Sequence, residues 1–475
     1  MRAEVPGLVS GAAGLRVHAQ PEDGLPTGGP TRVARAILAA LGMALAVAGA
    51  GCASSSGAAG AAAPSSVAAG TDSPRSTSAP TSTPPLAPLS WSSVAAPAPP
   101  AGAVISLDAV TCVSGEDCWA VGSTDTPGPL AGAGSFEPAI ERYSGGGWSI
   151  VPSPTPPGGG TLFAVACAGA EDCWAVGGAG GSDVSLIEHE TGGRWSIVAS
   201  PTAPAGGDIV LRGVACAGAG DCWAVGSEGR DLATGYPGQD PLVVHNTGDG
   251  WTGVSSLRLP AGVTTGELLG VTCVTVGDCW AVGDDGDSDV EPVDPLVERY
   301  DGSGWSMVDS PTPPSNEGIV LNAVACPGAS DCWAVGQDTV ATGGLPGVPA
   351  PLIEQDAGSG WSIVPGPALP AGAGTDGTLD GVACAGAGDC WAVGSFDLVG
   401  AASQAPAAIE ETSGGAWITI STPPVAISTP SASVTMFDEL QGVSCPSSGG
   451  CWAVGTAQVD GGLGDGGETL ILQGR

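Results

Sequence analysis

The sequence predicts an all-β fold: a seven-bladed β-propeller of four-stranded blades, closed by an N-terminal strand that completes the last blade. Three observations predict it. A Cys-Trp motif recurs seven times, centred on Trp119, Trp174, Trp223, Trp280, Trp333, Trp391 and Trp452, and steady repetition marks one supersecondary unit rather than one active site. The composition, 80 Gly and 42 Pro in 475 residues, favours turns over long helices. The second tryptophan of the unit is displaced at the two ends of the chain, as closing a ring requires.

One unit shows the strands. Residues 321 to 366 read "LNAVACPGASDCWAVGQDTVATGGLPGVPAPLIEQDAGSGWSIVPG", in which "LNAVAC", "CWAVGQ", "PLIEQ" and "GWSIVP" are short apolar runs separated by Gly, Pro, Asp and Ser. In the second run, period-two geometry puts Trp333 and Val335 on one face and Cys332 and Ala334 on the other. Both faces are apolar, as sheets stacked face to face demand. The fourth run carries Trp148, Trp195, Trp251, Trp305, Trp361 and Trp417, one short of seven. Trp91 supplies the missing one upstream, while the last unit ends at its third strand, "ETLILQGR". An N-terminal strand that fills this gap leaves no open edge.

The pattern "DCWAVG" with "LIE", "DGSGWSMV" and "SPTPP" resembles the repeat of secreted bacterial propellers grouped with kelch-like and BNR-like (sialidase-type) propellers, over residues 90 to 475. The resemblance implies the fold and little of the activity, because propellers carry enzymes, receptors and scaffolds alike. Neither the kelch Gly-Gly pair nor the Ser-x-Asp-x-Gly-x-x-Trp turn of sialidase-type blades is present in full.

Fourteen of 15 cysteines form seven Cys-x5-Cys pairs: Cys112/Cys118, Cys167/Cys173, Cys216/Cys222, Cys273/Cys279, Cys326/Cys332, Cys384/Cys390 and Cys445/Cys451. Zinc would need pairs to converge in fours, and a redox centre favours one Cys-x-x-Cys. In an exported chain a disulfide across each first hairpin is the expected outcome, contributing at most about 2.4 kcal/mol per bridge on the chain-entropy model. The Asp before the second Cys (Asp117, Asp172, Asp221, Asp278, Asp331 and Asp389) is expected to bond the turn backbone, with Gly450 in its place in the last unit.

Outside the repeats, Arg32 and Arg35 precede the apolar run Ala36 to Gly51 and then Cys52, which reads as an export signal too short for a membrane span. Small residues before the Cys and "ASSSGAAG" after it resemble a bacterial lipoprotein signal, and the resemblance implies lipidation of Cys52; ordinary secretion is the alternative. The domain plan is therefore residues 1–52 as extension and signal, 53–88 as an Ala/Ser/Pro/Thr linker, and 89–475 as the propeller. The product is expected outside the membrane, at the cell surface or extracellular, held to the membrane by lipid alone and monomeric. A formal charge of -36 with 12 basic residues excludes nucleic acid as a partner.

Catalytic groups are scarce. His189 and His245 fall at repeat positions held elsewhere by Arg142 or Arg299, and Glu141, Glu188, Glu298, Glu354 and Glu410 read as a periodic set that hydrogen-bonds between blades or faces a solvated edge. Off the lattice stand Arg194, Arg212, Arg230, Arg258 and Tyr236. The connections from strand two to three and from strand four to the next blade vary, and in an alternating blade they share one face. There "SEGRDLATGYPGQDP" offers Arg230, Asp231, Tyr236 and Asp240 to a sugar or peptide, or is a solvated loop. The stretch "DDGDSDVEPVD" offers Asp284, Asp285, Asp287, Asp289 and Glu291 to a hard cation such as calcium, or is merely acidic. No other cofactor is indicated. The residues point to a binding or scaffolding module for an unidentified protein or glycan; the alternative is a glycan-processing enzyme, sialidase-like hydrolase or lyase, with its site on the variable face.

Overall fold

The computed structural model describes residues 90–126, 135–180, 184–201, 209–229, 239–254, 257, 259–263, 265–286, 293–312, 316–340, 348–367, 373–398, 404–411, 416–420, 435–447, 450–460 and 466–475. The chain divides into two units, Met1–Ala79 and Pro80–Arg475, and the first lies wholly outside the described residues. Cys52 and the export segment lie there with it.

Each repeat is an antiparallel meander. In repeat 1 the first to fourth strands are Val104–Ser114, Asp117–Thr126, Ser135–Ser144 and Trp148–Val151. No helix occurs among the described residues. The result is an all-β propeller of four-stranded blades, but hydrogen bonding gathers the strands into six sheets rather than the seven expected. Five sheets are four-stranded; the sixth has eight strands, drawn from repeats 6 and 7 together with Trp91–Ser93. The cause is one parallel pairing, Gln404 opposite Phe437, which ties the third strand of repeat 6 to the first strand of repeat 7. At the outer edge Trp91–Ser93 pairs with Gly466–Gly474, where other repeats have their own fourth strand.

The core consists of apolar seams between consecutive repeats. The second-strand Trp of each repeat meets the fourth-strand Trp of the next edge to face, with ring centroids 5.2–5.6 Å apart. Trp391 meets Trp91, and Trp452 meets Trp148, so the N-terminal strand and the last repeat both enter the ring of seams. Each such pair adds about 1 kcal/mol beyond the area it buries.

Seven disulfides close the first hairpins with the expected pairing. They are Cys112–Cys118, Cys167–Cys173, Cys216–Cys222, Cys273–Cys279, Cys326–Cys332, Cys384–Cys390 and Cys445–Cys451, at Cα separations of 4.0–4.3 Å. The second cysteine of each pair points into a seam. Cys118, Cys173, Cys222, Cys279 and Cys390 have 0% of their surface exposed, and Cys332 and Cys451 have 1%. Cys173 shares its seam with Trp119 and Trp195, Cys222 with Trp174 and Trp251, Cys279 with Trp223 and Trp305, and Cys390 with Trp333 and Trp417.

The last residue of the WAVG motif follows from a bulge. In repeat 1, Gly122 lies opposite Leu107 and Val121 opposite Ala109, so Asp108 has no cross-strand partner. The slip brings the inner strand so close that a Cβ on Gly122 would fall on the Ser106 carbonyl oxygen. The same close approach recurs at Gly177, Gly226, Gly283, Gly336, Gly394 and Gly455.

Candidate functional site

The first strands wall a central channel. At the disulfide end its mouth, about 350 Å³, is lined by equivalent residues of all seven first strands, among them Val110, Val165, Val214 and Val443. Two residues before each such valine sits the unpaired bulge residue: Asp108, Phe163, Arg212, Leu269, Asn322, Asp380 and Gln441. Each is preceded by Leu and followed by Ala or Gly and then Val. Bulges re-aim side chains, and here they place a different residue type at nearly every step around the channel wall.

Two pairs of these residues, Asn322 with Asp380 and Arg212 with Phe163, meet from strand to strand. Asn322 donates from Nδ2 to Thr378 Oγ1 at 3.2 Å, the Leu379 carbonyl at 3.0 Å and Asp380 Oδ1 at 3.2 Å. Thr378 also donates to Asp380 Oδ1, while Asp380 Oδ2 is buried without a partner. Burial first, and then the neighbouring Glu439, push both Asp108 and Asp380 up to about 7. Glu439 is itself raised by burial, with a hydrogen bond to Gln441 opposing the shift. On the other side of the ring, Arg212 donates from Nε to Glu267 at 2.8 Å and lies over the Phe163 ring at 4.8 Å. Ser227 also donates to Glu267, at 3.3 Å. One arc thus holds amides and carboxyls whose hold on a proton burial has strengthened, and another pairs an aromatic ring with a cation. Such a belt can accept from, donate to and stack on a polar ligand.

The remaining titratable groups belong to the frame. Asp117 and Asp278 pair with Arg142 and Arg299, Asp172 and Asp221 with His189 and His245, and Asp331 accepts from Gln355. At these five Asp the expected bond to the turn backbone gives way to one to the third strand, whose Arg or His lies flat on the second-strand Trp in repeats 1 to 4. His189 and His245 stack at 3.7 and 3.6 Å from Trp174 and Trp223, as structural residues. Glu141, Glu188, Glu298 and Glu354 are buried between repeats, and burial pushes each to about 7. Ser153 and Ser310, from the preceding connections, donate to Glu188 and Glu354. Glu410 is not of this set: it lies opposite Trp391, one place beyond Ile409, which holds the equivalent position.

The cysteines belong to the frame as well and not to a site. Cys118, Cys173, Cys222, Cys279 and Cys390 are sealed in the seams, so none of them can meet a ligand from solvent. Their first-strand partners, among them Cys167, Cys216, Cys273 and Cys384, stand at the channel mouth as bridged sulfurs. A disulfide sulfur is no thiolate, and it offers neither a nucleophile nor a zinc ligand.

Of the loop residues singled out from sequence, Arg230, Asp231 and Tyr236 lie outside the described residues, as do Asp287, Asp289 and Glu291. Asp240 is on the third strand of repeat 3, opposite Glu228. Asp284 and Asp285 end the second strand of repeat 4. Burial and then Glu267 push Asp284 to about 7; burial pushes Asp285 to about 6, against a hydrogen bond from the Asp294 amide at 3.0 Å. Among the described residues no three His, Cys, Asp or Glu gather as metal ligands. The belt does not stand out by residue type, because its members share a position and not a chemistry. Its signal was the variable letter in "LDAV", "LFAV", "LRGV", "LLGV", "LNAV", "LDGV" and "LQGV".

No protein-family model matches the chain, and no curated protein matches it. Solved structures similar to it include "YCF48 bound to D1 peptide", at 13% identity over 82% of this chain and 95% of that one, with a TM-score of 0.44. The GH74 xyloglucanase from Xanthomonas campestris matches at 13% identity over 80% of this chain and 55% of that one, TM-score 0.45. Trypanosoma rangeli sialidase in complex with the inhibitor DANA matches at 11% identity over 78% and 55%, TM-score 0.38. The chain spans about half the length of the last two. These are likenesses of fold at low scores, and the architecture stands on the strand pairing itself.

Proposed function

We propose that the chain is an exported, monomeric binding module for a protein or glycan, held to the membrane by lipid on Cys52, with the seven bulge residues as its recognition belt. The observation that carries the reading is one variable position in a repeated frame. The fold accepts Asp, Phe, Arg, Leu, Asn and Gln at the same bulge, so it does not dictate the residue there, and the side chains are free to serve a ligand. In this reading the eight-stranded sheet acts as two blades, so that seven first strands ring the channel. Seven disulfides fit an oxidising compartment, and no described helix is long and apolar enough to cross a membrane.

The test is to profile the full-length protein on glycan and peptide arrays beside Arg212→Gln and Asp380→Asn. Hits lost in either variant support the belt; identical profiles refute it. A second reading, glycan hydrolysis, is favoured by one observation: Asp380, fixed on the channel wall by Asn322 and Thr378 with Oδ2 left without a partner, is a carboxyl that burial and then Glu439 push up to about 7, the character of a general acid. It predicts nitrophenol release from a 4-nitrophenyl glycoside that Asp380→Asn abolishes. Binding without turnover on any glycoside tested sides with the module.

A further inference from the structure

The third strands share a register position two residues before the one whose carbonyl the next connection caps. It holds Pro138, Pro241, Pro295, Pro351 and Pro406, but Ser185 in repeat 2 and Thr469 in repeat 7. The caps show which way this position faces. Val198 donates to Ile187 O, Val308 to Val297 O, Val364 to Ile353 O and Val94 to Ile471 O, at 2.8–3.0 Å, all on the edge away from the second strand. Backbone groups of one strand residue point the same way, and residues two apart share that direction. The prolines therefore stand where an N–H would face outward, a common way of blunting an exposed edge. In repeat 2 the Ser185 carbonyl is covered instead by the Ser200 hydroxyl at 3.0 Å.

Repeat 7 has neither device. The outward N–H and carbonyl of Thr469 remain, while its hydroxyl is turned away to the Ile105 carbonyl at 2.8 Å. In front of it runs a groove of about 560 Å³ between the segment Val94 to Pro99 and the stretch Glu468 to Ile471. Among the described residues, strand pairing on this edge stops at Leu472, opposite Ser93. We infer that this groove is a docking site for an extended peptide segment of a partner protein, added as a strand to the edge that Trp91–Ser93 already occupies at Leu472–Gly474. The pairing of Trp91–Ser93 shows that the edge accepts a strand, the groove continues that edge, and Thr469 offers both a donor and an acceptor. The chain's charge of -36 selects a neutral or basic peptide. The site is separate from the channel belt and does not depend on it.

The experiment uses phage-displayed linear seven-residue peptides selected on the full-length protein, then measured as fluorescein-labelled synthetic peptides by anisotropy. Thr469→Pro reproduces what five other repeats carry and removes the outward donor from the edge, together with the hydroxyl that bonds Ile105; it should weaken the selected peptides roughly 10-fold, one hydrogen bond to the peptide. Thr469→Val keeps the N–H and should bind within about twofold. Methylating the peptide nitrogen that faces the Thr469 carbonyl should cost a similar factor with the protein untouched. Binding left unchanged by Thr469→Pro and by peptide methylation, failure to enrich any peptide over a Thr469→Pro counter-selection, or peptides lost in Arg212→Gln but not in Thr469→Pro would each overturn the inference.

Discussion

Glu141→Leu should stabilise the protein, and the gain should grow with pH. Glu141 has no exposed surface, neither of its oxygens has a hydrogen-bond partner, and burial alone raises it from 4.5 to about 7. The equivalent Glu188 and Glu354 accept from Ser153 and Ser310, five residues after their tryptophans; five after Trp91 comes Ala96, which cannot donate. Elsewhere the chain places Val244 opposite Ala224 and Leu472 opposite Ala453 at this position, so an apolar side chain fits the seam. The sign follows from a folded pKa above the unfolded one. Between 4.5 and 7 the folded state binds the extra proton, so stability is fully present below 4.5 and falls as pH rises through 7, by about 3 kcal/mol. Below that window the neutral acid still lacks a partner, at a cost of roughly 1 kcal/mol. Unfolding free energies of wild type and Glu141→Leu from urea titration should therefore differ by roughly 1 kcal/mol at pH 4 and by about 4 kcal/mol at pH 8, with slopes unchanged. Ala96→Ser, which restores the hydroxyl, should recover part of the same gain. An equal gain at both pH values, or a loss at pH 8, would refute the reasoning.

Three further outcomes follow from the frame. Gly122→Ala should lower the unfolding free energy measured with urea by about 3 kcal/mol, because the new methyl meets the backbone at Ser106 and Leu107 and no side chain can move aside. Replacing Cys112 and Cys118 together by Ser should cost about 2 kcal/mol, and intact-mass labelling of the native protein with iodoacetamide should find none of the seven pairs reactive. Trp91→Ala should cost about 3 to 5 kcal/mol by emptying the seam against Trp391, and near-ultraviolet dichroism should lose signal in step with the urea midpoint.

The frame was legible because its chemistry has to recur. Trp119 needs Trp195, Cys112 needs Cys118 and Gly122 must make room for a bulge, so each leaves the same letters in every repeat. The displacement of Trp91 told where the ring closes. The departure of Glu410 from the set is legible in the sequence: three residues after Pro138, Pro295 and Pro351 come Glu141, Glu298 and Glu354, but three after Pro406 comes Ile409. The union of two four-strand groups into one sheet was not legible, since Gln404 opposite Phe437 is a single long-range backbone pairing with no local pattern. The belt was hidden for the opposite reason to the frame. His189 and Glu141 look like chemistry but repeat, whereas Asp108, Arg212 and Asp380 differ at one position where everything around them is the same.

The most direct measurement of the central claim is binding by a belt-altered protein. Asp108→Asn, Arg212→Gln and Asp380→Asn, combined in the full-length chain, should weaken a ligand found on the arrays at least roughly 10-fold, with the pH 5 unfolding free energy in urea within about 1 kcal/mol of wild type. Unchanged affinity at an unchanged midpoint would contradict the claim that these side chains are what the repeated frame presents.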